Sequence, residues 1–334
     1  MNILYIVPDL KKVSGGPRTR ISSFKEIFLK KGGKIIEKGN KLTRSIFPQK
    51  INFVYVESAT NRIGFADVVS LFFLRIYSSK VVVFIRDVYI EMFPEKYSGL
   101  RGRITRIANR ISNYYLTLIA TELVFPTEEM GVVFFDKNKY FPRRNFSSLP
   151  PGTLIERDQP KSPDFTKKLG ILYLGSTRYA NSGFKTFVDF SLKYNKRYSF
   201  FVLSGDAGLN KEYSSLPIIF NSVERNEIPI YIKENNIAYA IHTRPRNIYD
   251  DITFPIKVLD FLSMSLPFIT EQHKPIESLL SDGYPLFLDL KNQKEIHNRI
   301  KGISKQEYIS LLNLFSRISK ENTYEKRYID LLTK

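Results

Sequence analysis

One lysine and one carboxylate stand a helical turn apart in Phe254–Thr270, FPIKVLDFLSMSLPFIT. At that spacing Lys257 and Asp260 share a helix face. Pro255 suits the first turn of a helix, where a missing N–H leaves no bond unmade. Val258, Leu259, Leu262 and Met264 supply the buried stripe. Leu266-Pro267 then stops the helix, and Phe268-Ile269-Thr270 reads as a buried strand. A cation and a carboxylate at the start of a helix suit a ligand that carries both phosphates and vicinal hydroxyls. A nucleotide sugar carries both.

Strands and helices must position that pair, and the chain alternates them. Ile3–Val7, Asn52–Val56, Val81–Ile85 and Leu123–Phe125 read as strands, the third rich in β-branched residues. Gly15-Gly16-Pro17 reads as a loop, with helical spacing over Arg18–Lys31 and Arg101–Ala120. The pattern restarts after Lys168. Ile171–Leu174, Ser199–Leu203 and Ile237–Ile241 are strand-like, Gly183–Tyr194 and Pro229–Glu234 helical, and Glu307–Lys334 helix-like. Such alternation implies an α/β protein with parallel sheets and right-handed crossovers. Prolines, a glycine and charges between Ser148 and Lys168 mark a linker. The expected domains are 1–150 and 151–334, with the last helix free to cross back to the first.

The 334 residues contain no cysteine, which excludes disulfides and thiolate chemistry. Three scattered histidines argue against a zinc site. No apolar run reaches the roughly 18 residues that span a bilayer, and MNILYIVPD reads as a first strand rather than a signal peptide. A cytoplasmic protein is expected. Net charge is +18, and residues 1–155 hold 25 Lys and Arg against 12 Asp and Glu. That excess fits an anionic membrane surface, a phosphorylated acceptor or nucleic acid, or a merely solvated basic face. Arg101, Arg103, Arg106 and Arg110 interleave with Ile104, Ile107 and Ile111. This pattern suits peripheral contact with an anionic membrane, or an ordinary amphipathic helix with its isoleucines on the sheet.

The layout, together with Pro255, Lys257, Asp260, Met264 and Pro267, resembles the GT-B-fold glycosyltransferases, in particular retaining family 4. Gly15-Gly16 resembles the family's glycine loop after the first strand. Phe84–Asp87 resembles a strand end often written with Arg-Asp or His-Asp. Leu149–Gly152 resembles the Pro-Asn-Gly closing the first domain, and Leu174-Gly175-Ser176 followed by Gly183 the start of the second. The sequence departs from the family in four places. Asp260 replaces a glutamate, Ser182 a lysine and Arg86 a histidine, and Ile252, flanked by Asp250 and Asp251, stands where a second glutamate is usual.

The resemblance implies two Rossmann-like domains with parallel sheets facing across a cleft. Asp260 would accept bonds from ribose hydroxyls; the plain alternative is a helix-dipole charge or cap. Lys257 and Arg178 would clamp the diphosphate, with Lys185 as a substitute for Arg178; the alternative is solvated surface cations. Gly15, Gly16 and Gly175 would let backbone approach phosphate or sugar, though a Gly-Gly pair is often only a turn. Asp87 would orient the acceptor hydroxyl or act as a base, unless it caps the next segment or pairs with Arg86. Asp251 and Thr253 would face the donor sugar. No metal is expected, because cations and helix ends can replace it. His242 reads more naturally as a structural residue than as a ligand.

The implied activity moves a hexosyl-type residue from a UDP- or GDP-sugar, UDP somewhat favoured, to a glycan, lipid-linked or protein acceptor, with retention. The alternative is a non-catalytic nucleotide- or nucleic-acid-binding protein on a doubled α/β scaffold. No nucleic-acid motif is visible, which argues against a nucleic-acid partner.

Overall fold

A computed structural model describes residues 2–13, 15–37, 51–58, 63–154, 162–179 and 181–333. Of the expected linker, 155–161 lie outside the described residues. The chain divides into two compact units. The first comprises Met1–Gly152, Ile252–Phe254 and Tyr324–Lys334; the second comprises Thr153–Asp251 and Pro255–Thr323.

In the first unit, the main run is β1 (Ile3–Val7), α1 (Gly15–Lys30), β2 (Lys34–Glu37), β3 (Ile51–Glu57), α2 (Phe65–Tyr77) and β4 (Ser78–Phe84). It continues through α3 (Tyr89–Met92), α4 (Leu100–Ile119), β5 (Glu122–Phe125), α5 (Glu128–Lys137) and β6 (Asn145–Ser148). The strands are parallel in the order β2-β1-β3-β4-β5-β6. Their near-continuous apolar runs are those of a sheet covered on both faces. Val54, Val56, Val81, Val83 and Leu123 are fully buried within one cluster.

A charged network lies inside this core. Arg20 on α1 donates to Glu57 Oε1 at 3.2 Å, to the Tyr55 hydroxyl at 3.1 Å and to the Leu149 carbonyl at 3.1 Å. Tyr5 and Tyr55 donate to the same carboxylate oxygen at 3.3 and 3.0 Å. The Arg20 guanidinium lies 3.9 Å from the Phe84 ring centroid. Burial works against its charge, but Tyr55 and Glu57 hold Arg20 above its ordinary range.

The second unit runs β7 (Leu169–Leu174), α6 (Phe184–Tyr194), β8 (Tyr198–Leu203), α7 (Leu209–Glu212), β9 (Ile219–Asn221), α8 (Ile228–Glu234) and β10 (Ile237–His242). Then come α9 (Ile256–Ser263), β11 (Phe268–Thr270), α10 (Lys274–Leu280), α11 (Gln293–Gly302) and α12 (Lys305–Glu321). Its parallel sheet has the order β11-β10-β7-β8-β9. The expected Glu307–Lys334 helix is broken at Asn322-Thr323, and α13 (Tyr324–Thr333) belongs to the first unit. There Tyr324 and Tyr328 pack edge-on against Phe24 and Phe28 of α1, with centroids 5.4 and 4.9 Å apart.

Three local expectations change. Gly15-Gly16-Pro17 is not a loop but the first turn of α1, where a proline is well tolerated. Pro255 is the cap before α9 and not its first residue. That helix ends at Ser263, before Leu266-Pro267. Ser265 turns to a left-handed φ of 48°, and the Leu266 N–H bonds back to the Phe261 carbonyl at 2.9 Å.

Candidate functional site

In an open parallel sheet, ligands gather at the carboxyl ends of strands where the strand order reverses. In the second unit that point lies between β7 and β10. Gly175 follows β7 at a φ of 106°, which favours glycine. A Cβ there would meet Lys257 Cε at 2.5 Å and Nζ at 2.6 Å. The missing side chain is therefore the space that Lys257, on the first turn of α9, occupies. Its Nζ lies 5.1 Å from the Tyr173 ring centroid.

The Lys257 ammonium has no ion-pair or hydrogen-bond partner among the described residues. Burial, and then repulsion from Arg244, lower its pKa to about 8, against weaker support from Asp260 and Asp206. Arg244 stands just beyond β10 and pairs with the buried Asp250 at 2.6 Å. His242, the last residue of β10, is held well below its ordinary pKa by burial, then by His273, Lys257 and Arg244. Its Nδ1 lies 3.1 Å from the Thr270 hydroxyl. Burial therefore keeps His242 neutral, and Lys257 is the cation at this edge with no carboxylate in direct contact among the described residues.

The loop after β7 is fixed by Asp206, beyond β8. It accepts from the Thr177 N–H at 2.7 Å and from the Ser176 hydroxyl at 2.9 Å. Burial opposes its charge, but these bonds keep the Asp206 carboxyl below its ordinary range. The loop then leads to Gly183, whose φ is 66°. A Cβ at Gly183 would lie 1.8 Å from the Thr243 carbonyl oxygen. The Thr243 hydroxyl donates to the Ser182 carbonyl at 2.5 Å. The α6 N-terminus is thereby locked against the segment leaving β10, adding its N–H groups to the same edge.

The sequence-expected residues divide. Gly175 and Lys257 are in contact, and Asp260 acts on Lys257 through charge. Asp260 is itself ion-paired with Arg225, so a ribose would have to share or displace that arginine. Arg178 is exposed and turns to the Ala207 carbonyl at 2.8 Å and Glu212 at 3.5 Å. Lys185 pairs with Asp189 one turn along α6 at 3.0 Å. Asp251 accepts from Arg246 at 3.2 Å and from the Lys274 N–H at 3.2 Å. Thr253 belongs to the first unit, as do Asp87, Gly15 and Gly16. Asp87 accepts from Arg86 at 3.3 Å and from the Tyr89 N–H at 3.4 Å. A Cβ at Gly15 would meet nothing within 4 Å.

Arg244, Arg225 and Asp206 were not singled out from the sequence. A signal existed for two of them, since both Arg244 and Asp206 follow a readable strand by two or three residues. Arg225 had none. Among the described residues, no group of three or more His, Cys, Asp or Glu is placed to hold a metal ion.

This fold is that of the GT-B glycosyltransferases. One similar structure is an alpha-glucosyltransferase in complex with UDP and a 13-mer DNA containing an HMU base. It has 12% identity, a TM-score of 0.67 and 99% of each chain covered. Another is a UDP-forming alpha,alpha-trehalose-phosphate synthase from Burkholderia xenovorans. It has 10% identity, a TM-score of 0.63, 100% of this chain covered and 98% of that one. No protein-family model matches the chain, and no curated protein matches it.

Proposed function

We propose that this chain is a nucleoside-diphosphate-sugar-dependent glycosyltransferase whose second unit holds the donor. The observation that carries the reading is Lys257: a partly buried ammonium with no ion-pair or hydrogen-bond partner among the described residues, at the carboxyl edge of a switch-point sheet, with Arg244 beside it. An ammonium held at a ligand-binding sheet edge with no carboxylate in direct contact among the described residues is arranged for a ligand that supplies the negative charge. A departing nucleoside diphosphate gains negative charge as the glycosidic bond breaks, so preplaced cations stabilise the transition state more than the ground state.

In this reading Lys257, Arg244 and the α6 N-terminus hold the diphosphate, while Asp260 binds the ribose once Arg225 yields. Arg178 joins the clamp only by leaving Glu212. Gly175 gives the backbone its approach, and Asp251 faces the sugar. UDP is favoured over GDP because both structural neighbours named above carry or form UDP. No metal is assigned. The first unit takes the acceptor, with Gly15, Gly16 and Asp87 near it, the acceptor being a glycan, lipid-linked saccharide or protein. With retention, the anomeric carbon loses its bond to the phosphate oxygen as the acceptor oxygen attacks the same face. The acceptor proton passes to the leaving phosphate.

The test is incubation with a panel of UDP- and GDP-sugars, following release of free nucleotide. Release by the wild type, lost in Lys257→Ala, is expected. Equal release by both proteins, or none by the wild type with any donor, would overturn it.

A DNA acceptor is the second reading. It is favoured by the +18 charge and by the likeness to a transferase complexed with modified DNA. Transfer of label from a sugar nucleotide to duplex DNA, falling steeply with salt, would support it.

A further inference from the structure

Helix α4 anchors its C-terminal end in the core through Leu116 and Ile119, but its middle turns are reversed. Its inner face presents Asn109 and Asn113, which both donate to Glu91 Oε1, at 3.2 and 2.9 Å. Its outer face presents Leu100, Ile104, Ile107, Ile111, Tyr114 and Leu118, spaced alternately four and three residues apart, so that they form one straight stripe. Ile104, Ile107 and Ile111 are 53%, 60% and 63% exposed. The expectation that these isoleucines face the sheet is therefore wrong: buried asparagines satisfied by Glu91 take that place.

Helix α2 lies alongside. The Tyr115 hydroxyl on α4 donates to the Val68 carbonyl on α2 at 2.5 Å. Its own outward residues, Phe65, Val69, Phe72 and Ile76, repeat the four-three-four spacing, and Phe65 is 85% exposed. Two neighbouring helices thus leave apolar stripes uncovered, well beyond the scattered apolar residues usual on a surface.

Charge decides what covers them. Helix α4 carries four arginines and no acidic residue. Helical spacing sets Arg103, Arg106 and Arg110 along the flank opposite the one that meets α2. Lys137 and Lys139 extend this flank, since Arg110 donates to the Lys137 carbonyl at 3.4 Å. A second copy pairing through the same stripe would set arginine against arginine. Duplex DNA would meet the cations but leave the isoleucines and phenylalanines in water. An anionic bilayer satisfies both, its acyl boundary taking the apolar side chains and its headgroups the cations.

We propose that the α2–α4 face docks on an anionic membrane surface, with α4 lying in the plane of the bilayer. No helix among the described residues is long and apolar enough to cross a membrane, so this contact is peripheral. The proposal stands independently of the glycosyltransferase reading, because none of these residues belongs to the Lys257 site.

The test is flotation of the full chain with vesicles of phosphatidylcholine alone or with about a third phosphatidylglycerol. The chain has no cysteine, so Ile107→Cys also carries a single polarity-sensitive dye. Expected are binding to the anionic vesicles only, weakened by salt, and a blue shift of the dye. Replacing Arg103, Arg106 and Arg110 with Gln should lower partitioning roughly a hundredfold. Ile107→Glu with Ile111→Glu should abolish it while leaving the circular dichroism spectrum unchanged. Three results would each overturn the proposal. One is no binding to anionic vesicles; another is binding that both variants leave unchanged. The third is a wild-type dimer in light scattering that the glutamates dissociate, without any vesicle binding.

Discussion

At Lys257, burial and Arg244 oppose the charge that the proposed ligand requires. An unfolded lysine titrates near its ordinary value, so between about pH 8 and that value the unfolded chain binds more protons than the folded one. Stability therefore rises with pH through this window, and below about pH 8 the full cost of the buried charge is present. Lys257→Met should stabilise the ligand-free protein at pH 7 by roughly 1–3 kcal/mol, read as a higher midpoint in urea, while weakening nucleotide binding. An unchanged or lower midpoint would contradict this assignment of the lysine's environment. Arg20 is the opposite case, a buried cation with every partner in place. Arg20→Ala should cost about 3–5 kcal/mol, because Glu57 is left buried without its counter-charge. Arg20→Met combined with Glu57→Leu should recover much of that loss, which a urea midpoint for each variant would show. Residue types in the Phe254–Thr270 segment pointed to Lys257 directly. The pairing of Asp260 with Arg225 was not legible, because 35 residues separate them and only the fold brings them together.

Helices and strands carry the site through glycines that could be noticed in the sequence but not explained there. Gly183→Ala should do more harm than Gly175→Ala. At Gly183 the new Cβ meets backbone, the Thr243 carbonyl, whereas at Gly175 it meets the movable end of Lys257. Melting curves should show the larger loss for Gly183→Ala. Nucleotide titrations should show Gly175→Ala losing affinity by displacing the lysine. Equal effects in both measurements would argue against this division. The strands were legible because runs such as Val81–Val83 leave little alternative to a buried strand. Helix α4 was legible as a helix but not in its orientation. Periodicity shows that a stripe exists and not which way it faces, and here Glu91, from a separate short helix, draws the polar side inward.

Across the whole chain, two parallel sheets with reversed strand order each provide a switch point. The alternation of strands and helices made this architecture readable. The return of α13 to the first unit depended on tyrosines meeting Phe24 and Phe28, a long-range contact with no local signal. The two units divide the proposed chemistry, with donor groups in one and the larger share of the positive charge in the other. The central claim is that the uncompensated Lys257 exists to meet a diphosphate. Calorimetric titration with UDP between pH 6.5 and 9.5, in buffers of different ionisation enthalpy, tests it most directly. Protonated lysine is the binding form, so affinity should fall as pH rises through about 8, with proton uptake on binding near that pH. Lys257→Met should lose both that pH dependence and at least about thirtyfold in affinity. UDP binding that is equally tight in the variant, or that takes up no proton in the wild type, would contradict the account.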